Sequence, residues 1–271
     1  MSQHTQNEKT LKYRKKAVDS HNMNSPVFFD RYTILDEDPY ASAFAYGRKK
    51  LFEKMDATLD EQLKGQGKVL EVACGTGYYL NRLRSMGYDV TGLEPAQGMR
   101  ERAMGKNPGV TVHDGIATEL PFADDTFDAV VSIELLRYLE AADIKQAYTE
   151  MFRVLKPGGL LMVTLVNRYA LDGFWFLYNG RLMMEKVFGK EIINYCDFVS
   201  PAGMESYINE HFGYATKTES ALLAPLRLVY KVSPKLGKAA AKKAEKLDES
   251  FNQKDWHKKF AGHLIMTAKK K

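Results

Sequence analysis

Two glycines one residue apart, in Glu71-Val72-Ala73-Cys74-Gly75-Thr76-Gly77, let a backbone pass close to a ligand with no Cβ in the way. The same turn opens a helix whose free N–H groups face that ligand. Glu94 follows nineteen residues after Gly75, where an acid accepts both hydroxyls of a ribose. Asp114, followed by Gly115 and Ile116, offers a second carboxylate, suited to an adenine amino group. These residues describe a nucleoside site. A dinucleotide fingerprint needs a third glycine, and that position is Leu80, which argues against NAD or FAD. Glu71, inside the preceding apolar run, adds a carboxylate that attracts a cationic ligand and repels a phosphate.

Proton-transfer chemistry is less visible. His113 adjoins Asp114 and is a weak catalytic candidate, because a strand-end histidine is more often structural; His211 and His263 are weaker still. Cys74 reads as a small packing residue, with no basic partner to activate its thiol.

These residues need a sheet to hold them. Short β-branched-rich runs predict strands over 69–73, 89–93, 110–113, 129–133 and 160–166. Between them lie helical patterns, such as Leu80, Leu83 and Met86, or Ile144, Ala147, Tyr148, Met151 and Leu155. The alternation predicts an α/β fold built on a mainly parallel sheet with helices on both faces. A last short strand over 263–267 is expected to return antiparallel at the sheet edge. Ahead of the sheet, residues 1–25 read as a flexible polar arm and 26–64 as a helical lid. Asp38-Pro39 would start that lid's main helix, with Phe44, Leu51, Phe52, Met55, Leu59 and Leu63 on its buried face. The main domain would span 65–271. Within it, 167–213 is a candidate acceptor-binding insertion and 235–260 a basic helix.

Taken together, 68–166 resemble the class I S-adenosylmethionine (SAM)-dependent methyltransferases, in particular the ubiquinone/menaquinone-type small-molecule subgroup. Val69-Leu70-Glu71-Val72-Ala73-Cys74-Gly75-Thr76-Gly77 is similar to the family's first motif, and Val90-Thr91-Gly92-Leu93-Glu94-Pro95 to its second. Asp114, Leu120-Pro121-Phe122, Phe127-Asp128-Ala129-Val130-Val131 and Leu155-Lys156-Pro157-Gly158-Gly159 follow in the family's order. The resemblance implies a Rossmann-like, doubly wound sheet of seven strands, mostly parallel with an antiparallel edge strand. It implies SAM as cofactor. Glu71, Ala73, Cys74 and Gly75 would line its methionine end, with Gly77 shaping the turn. Glu94 would hold the ribose, and Pro95, Met99, Asp114, Gly115 and Ile116 would surround the adenine. Ile133 and Glu134 would sit near the sulfonium. Tyr32, Tyr46 and Arg48 would belong to the lid, Arg48 pairing the cofactor carboxylate.

The rest of the chain narrows the acceptor. After the fourth strand stands Ser132-Ile133-Glu134-Leu135-Leu136, not the Asn/Asp-Pro-Pro-aromatic motif of adenine or glutamine amino-methylation. No Pro-Cys pair serves attack on a pyrimidine, and no carboxylate cluster points to a metal. Phe174-Trp175-Phe176-Leu177-Tyr178, with Leu182, Met183, Met184, Val187 and Phe188, either lines an apolar acceptor site or packs on the sheet. The expected partner is therefore a small, partly apolar metabolite, and the pattern argues against nucleic acid.

The 271 residues are 45% hydrophobic and 27% charged, the composition of an ordinary globular protein. The densest apolar run, 174–178, is far below the ~20 residues of a membrane span. With two cysteines, Cys74 and Cys196, and no apolar leader over 1–16, a reduced cytoplasmic protein is expected. The net charge of +5 is uneven: from Arg227 onward thirteen Lys/Arg face four Asp/Glu. That basic region suggests a solvated helix face, or contact with an anionic surface. The alternative reading is a SAM-binding RNA-directed or regulatory protein that uses it.

Overall fold

Seven strands form one sheet in the order β3-β2-β1-β4-β5-β7-β6. They are β1 (Lys68–Val72), β2 (Asp89–Leu93), β3 (Val112–His113), β4 (Phe127–Ser132), β5 (Leu155–Val166), β6 (Thr216–Ala221) and β7 (His263–Lys269). The computed structural model describes residues 3–172, 174–189, 198–221, 226–251 and 254–271; Cys196 lies outside them. The first five strands run parallel, and β7 lies antiparallel to both β5 and β6 in the pair that closes one side of the sheet. Strand order reverses between β1 and β4, so a crevice opens above their carboxyl ends.

Strand alternation explains the two-sided burial. Leu70, Val72, Val130, Leu161 and Val163 face one core, while Val69, Ala129, Val131, Leu160 and Met162 face the other. Ten helices accompany the strands among the described residues: α1 (Gln3–Glu37), α2 (Ala43–Leu63), α3 (Tyr78–Ser85), α4 (Gln97–Lys106), α5 (Ala141–Val154), α6 (Phe174–Val187), α7 (Pro201–Phe212), α8 (Leu226–Val232), α9 (Pro234–Phe251) and α10 (Asp255–Phe260). Tyr148 and Met151 of α5 join Met204 and Ile208 of α7 in the first core. Leu51 and Met55 of α2 join Leu80 and Leu83 of α3 in the second.

Three expectations are corrected. The flexible arm over 1–25 is helical from Gln3, because α1 continues through Pro26 to Glu37. Its stripe of apolar residues is weak, so tertiary contacts hold it in place of periodic burial. Arg14 pairs with Asp143 of α5, and Asn22 Oδ1 accepts the Gly98 N–H in the first turn of α4 at 2.9 Å. The second helix starts at Ala43, where the Ser42 side chain accepts the Ala45 N–H, and not at Asp38-Pro39. Asp38 is a turn residue instead, its carboxylate accepting the Tyr40 N–H. The basic 235–260 segment is broken into α9 and α10. Along α9, Ala241 and Ala244 are buried against Tyr46, and Lys238 on its exposed side pairs with Asp38.

Candidate active site

A cavity of about 740 Å³ lies over the carboxyl ends of β1, β2 and β4, roofed by α1, α2 and α6. Its volume is that of a small-molecule site, about 300–1,000 Å³. Backbone strain collects there. Ala73, after β1, and Glu134, after β4, both take left-handed φ values of 60° and 55°. Among the described non-glycine residues only Lys64 and Asp125 share that region, and neither lines the cavity.

The glycine turn does what its spacing predicts. Gly75 has φ of 55° and open space where a Cβ would stand. Its N–H donates to Glu94 Oε2 at 2.9 Å, while Ala96 N–H donates to Glu94 Oε1 at 2.9 Å. The carboxylate that closes β2 is thereby fixed across the turn that follows β1. Gly77 does not line the cavity. It caps α3 with φ of 72°, and a Cβ there would stand 2.6 Å from Asn107 Nδ2.

Glu71 is buried at 2% exposure, and its Oε2 has no hydrogen-bond partner. Burial pushes its carboxyl well above the usual carboxylate range, and the nearby charge of Glu94 adds to this. Burial also raises Glu94, against the two backbone N–H groups that favour its charged form. Such a pair of carboxylates is stabilised by a bound cation and by hydroxyl donors. The Cys74 thiol is raised by burial and by both acids, which leaves it a packing residue.

Other predicted residues divide cleanly. Ala73, Cys74, Pro95, Met99, Ile116, Ile133, Glu134, Tyr32 and Arg48 line the cavity. Tyr46 does not: it is fully buried on the opposite side of α2, stacked on Tyr40 and packed with Leu226 and Ala241. Asp114 and Gly115 are also outside the lining. The Asp114 side chain is 70% exposed and pairs with Arg100 at 3.0 Å, and Gly115 packs on Leu93. His113 packs edge-on against Phe122, 5.0 Å between centroids, away from the cavity.

Arg137, Phe28 and Arg31 line the cavity without having been predicted, and the contacts that Glu134 makes were not foreseen. Glu134 meets Arg48 at 2.9 Å, Arg137 at 3.4 Å and His263 Nδ1 at 3.2 Å. Burial alone would raise its carboxyl, but the two guanidiniums outweigh burial and hold it well below the usual range. Arg48, expected to pair a ligand carboxylate, spends one nitrogen on Glu134 and keeps its buried Nε without a partner. Phe174, Tyr178 and Leu182 of α6 supply an apolar wall, and Phe28 and Arg31 of α1 face it. The other side of α6 exposes Met183, Met184, Val187 and Phe188. The candidate insertion therefore divides: α6 lines the cavity, α7 packs on the sheet, and the Phe176 side chain lies outside the described residues.

A family profile described as a methyltransferase domain matches residues 70–163, the segment from β1 through β5 that carries the glycine turn, Glu94 and Glu134. Residues 70–163 thus carry a methyltransferase domain. Among curated relatives, an uncharacterized methyltransferase of Oceanobacillus iheyensis is 36% identical over 137 residues, covering 50% of this chain and 63% of the relative. A demethylmenaquinone methyltransferase of Renibacterium salmoninarum is 38% identical over 116 residues, covering 43% of this chain and 48% of the relative. The chain thus spans between about half and just under two thirds of these relatives' length. A solved SAM-dependent methyltransferase from Thermotoga maritima superposes with a TM-score of 0.58 at 19% identity, covering 90% of this chain and 94% of the other, which shows the shared fold. Among the described residues no helix is long and apolar enough to cross a membrane.

Proposed function

We propose that this chain transfers a methyl group from SAM to a small, partly apolar metabolite. The observation that carries the reading is one cavity lined both by the buried carboxylates Glu71 and Glu94 and by Phe174, Tyr178 and Leu182 of α6. The carboxylates fit SAM. The unpartnered Glu71 oxygen would take its ammonium, Glu94 its ribose hydroxyls, and Met99 and Ile116 would flank its adenine. Gly75 leaves room for that approach. Bound there, SAM supplies a methyl group already activated on a sulfonium. The chain then has to orient the acceptor and exclude water. Phe174, Tyr178 and Leu182 give an acceptor's apolar body a wall to lie on, and α1 covers the opposite side.

The named activity of the Renibacterium relative supports an apolar small-molecule acceptor. The buried free thiol of Cys74 suits a reducing, cytoplasmic setting. The exposed lysines of α9 offer a surface for peripheral contact with anionic partners.

The test is incubation of the protein with methyl-deuterated SAM and a deproteinised metabolite extract, read by mass spectrometry. Label entering one extractable small molecule is the expected result. Label entering only added RNA, or no acceptor while SAM stays bound, would favour the RNA-directed or regulatory alternative.

A further inference from the structure

The methyl transfer assigned above needs no metal, but a hydroxyl acceptor must lose its proton to something. The cavity wall holds a histidine for that task. His263 opens β7, paired with Val166 at the end of β5 and with Ala221 at the end of β6. Because β7 runs antiparallel, its first residue reaches the same sheet edge as the carboxyl ends of β4 and β5. The imidazole is buried, lines the cavity and has Nδ1 3.2 Å from Glu134 Oε1. That separation is within hydrogen-bonding reach, although the N–H direction is off line, as is common before substrate tightens such contacts. Nε2 accepts a long hydrogen bond from Arg227 Nη2, at 3.5 Å. Glu134 accepts and cannot donate, so the arrangement sets the proton on Nδ1 and the lone pair on Nε2. Glu134 is itself fixed, by Arg48, by Arg137 and by its own N–H donating to Thr164 Oγ1 at 2.8 Å.

We propose that His263 is the general base of the reaction, oriented by Glu134, and that the acceptor atom is a hydroxyl oxygen on an aromatic or apolar body. The proposal rests on the methyltransferase reading. In the step, the acceptor's proton passes to Nε2 as an oxygen electron pair forms the bond to the methyl carbon. The carbon–sulfur pair stays on sulfur, leaving S-adenosylhomocysteine, and Glu134 stabilises the imidazolium. The acceptor hydroxyl would replace the Arg227 N–H at Nε2, which leaves that N–H to donate to the oxygen as its charge develops. Arg227 is held by Asp172 at 3.0 Å and lies 4.8 Å from the Phe174 ring centre, which gives the acceptor's body a surface beside its reacting end. The charged groups around His263 are therefore Glu134 after β4, Arg227 on α8 with Asp172 behind it, Arg48 on α2, and Arg137 after β4. Protonated His263 cannot accept, so turnover should fall on the acid side.

Two measurements on the whole chain test this. The first uses SAM with 2-naphthol or 2-naphthalenethiol as probe acceptors and reads S-adenosylhomocysteine formed. The thiol ionises far more easily and needs no base. His263→Gln should lower naphthol turnover about 10²–10⁴-fold and abolish the acid limb of its pH profile, with thiol turnover and SAM affinity little changed. Added imidazole should restore part of the loss. Equal losses for both probes, or none for naphthol, would overturn the assignment. The second is nitrogen-15 NMR of the histidines, with and without S-adenosylhomocysteine, which needs no turnover. It should find the His263 proton on Nδ1, and Glu134→Gln should weaken that preference. A proton on Nε2 overturns the proposal. Failure of the wild-type chain to bind SAM counts against the methyltransferase reading, while a bound cofactor with the wrong tautomer counts against His263 alone.

Discussion

Glu71 shows how a single buried carboxylate ties the site to its ligand. With one oxygen unpartnered and burial raising its carboxyl, the empty site holds a proton there over a wider pH range than a free glutamate does. A cation beside it favours the charged form. Binding of the SAM ammonium should therefore release a proton to solvent, and affinity should fall as pH drops through the raised value. The expected sign is a proton release visible as buffer-dependent heat in calorimetry. Glu71→Gln should remove the release and weaken binding while the fold persists; unchanged proton release in that variant would remove Glu71 from the site. At this scale the placement of Gly75, Glu71 and Glu94 in one cavity was legible, because each lies at or next to its own strand end. Tyr46 and Arg48 could not both have been right. Residues two apart on a helix point to different sides, so once Arg48 reaches Glu134, Tyr46 must face α9. Asp114 was less readable because its direction depends on Arg100, fourteen residues earlier. The approach of His263 to Glu134 was not legible, because it depends on the insertion of β7 beside β5.

Among the elements, α1 is the one that sequence periodicity did not disclose. Its side chains are mostly polar, and what fixes it are individual contacts made at long range, such as Arg14 to Asp143 and Asn22 to the α4 N-terminus. The Gly98 N–H is one of the donors that a helix start leaves without an internal partner, and α1 supplies the acceptor. Because α1 also lines the cavity, its docking and ligand binding should be coupled. Asn22→Ala should cost about 1 kcal/mol, the usual value of a helix N-cap, and speed hydrogen exchange both in the first turn of α4 and along α1. S-adenosylhomocysteine should slow exchange in α1 more than in α5. Equal protection of α1 with and without ligand would contradict its role as the cavity's cover. By contrast, six of the seven strands and the α2 and α5 helices were readable in advance, since their apolar residues repeat at the period of the element they form, whereas the polar run of β6 was not. Boundaries moved where capping chemistry decided them, as at Ser42.

For the molecule as a whole, the sheet order explains why a distributed set of residues meets in one place. Reversal between β1 and β4 opens the crevice, β1 and β2 bring the carboxylates Glu71 and Glu94 to its lining, and β4 and β7 bring Glu134 and His263. The uneven charge of the chain matters less to this site than its excess suggests. Lys238 pairs with Asp38 and Lys49 with Glu245, so part of the basic region is tied to the lid. What the account rests on is that the carboxylates of the cavity grip the adenosyl donor. Isothermal titration of the folded wild-type chain with SAM and with S-adenosylhomocysteine tests this most directly. The account predicts saturable binding of both at one site, much weakened by Glu94→Ala. Absence of heat from either compound, or full binding by the Glu94 variant, would contradict it.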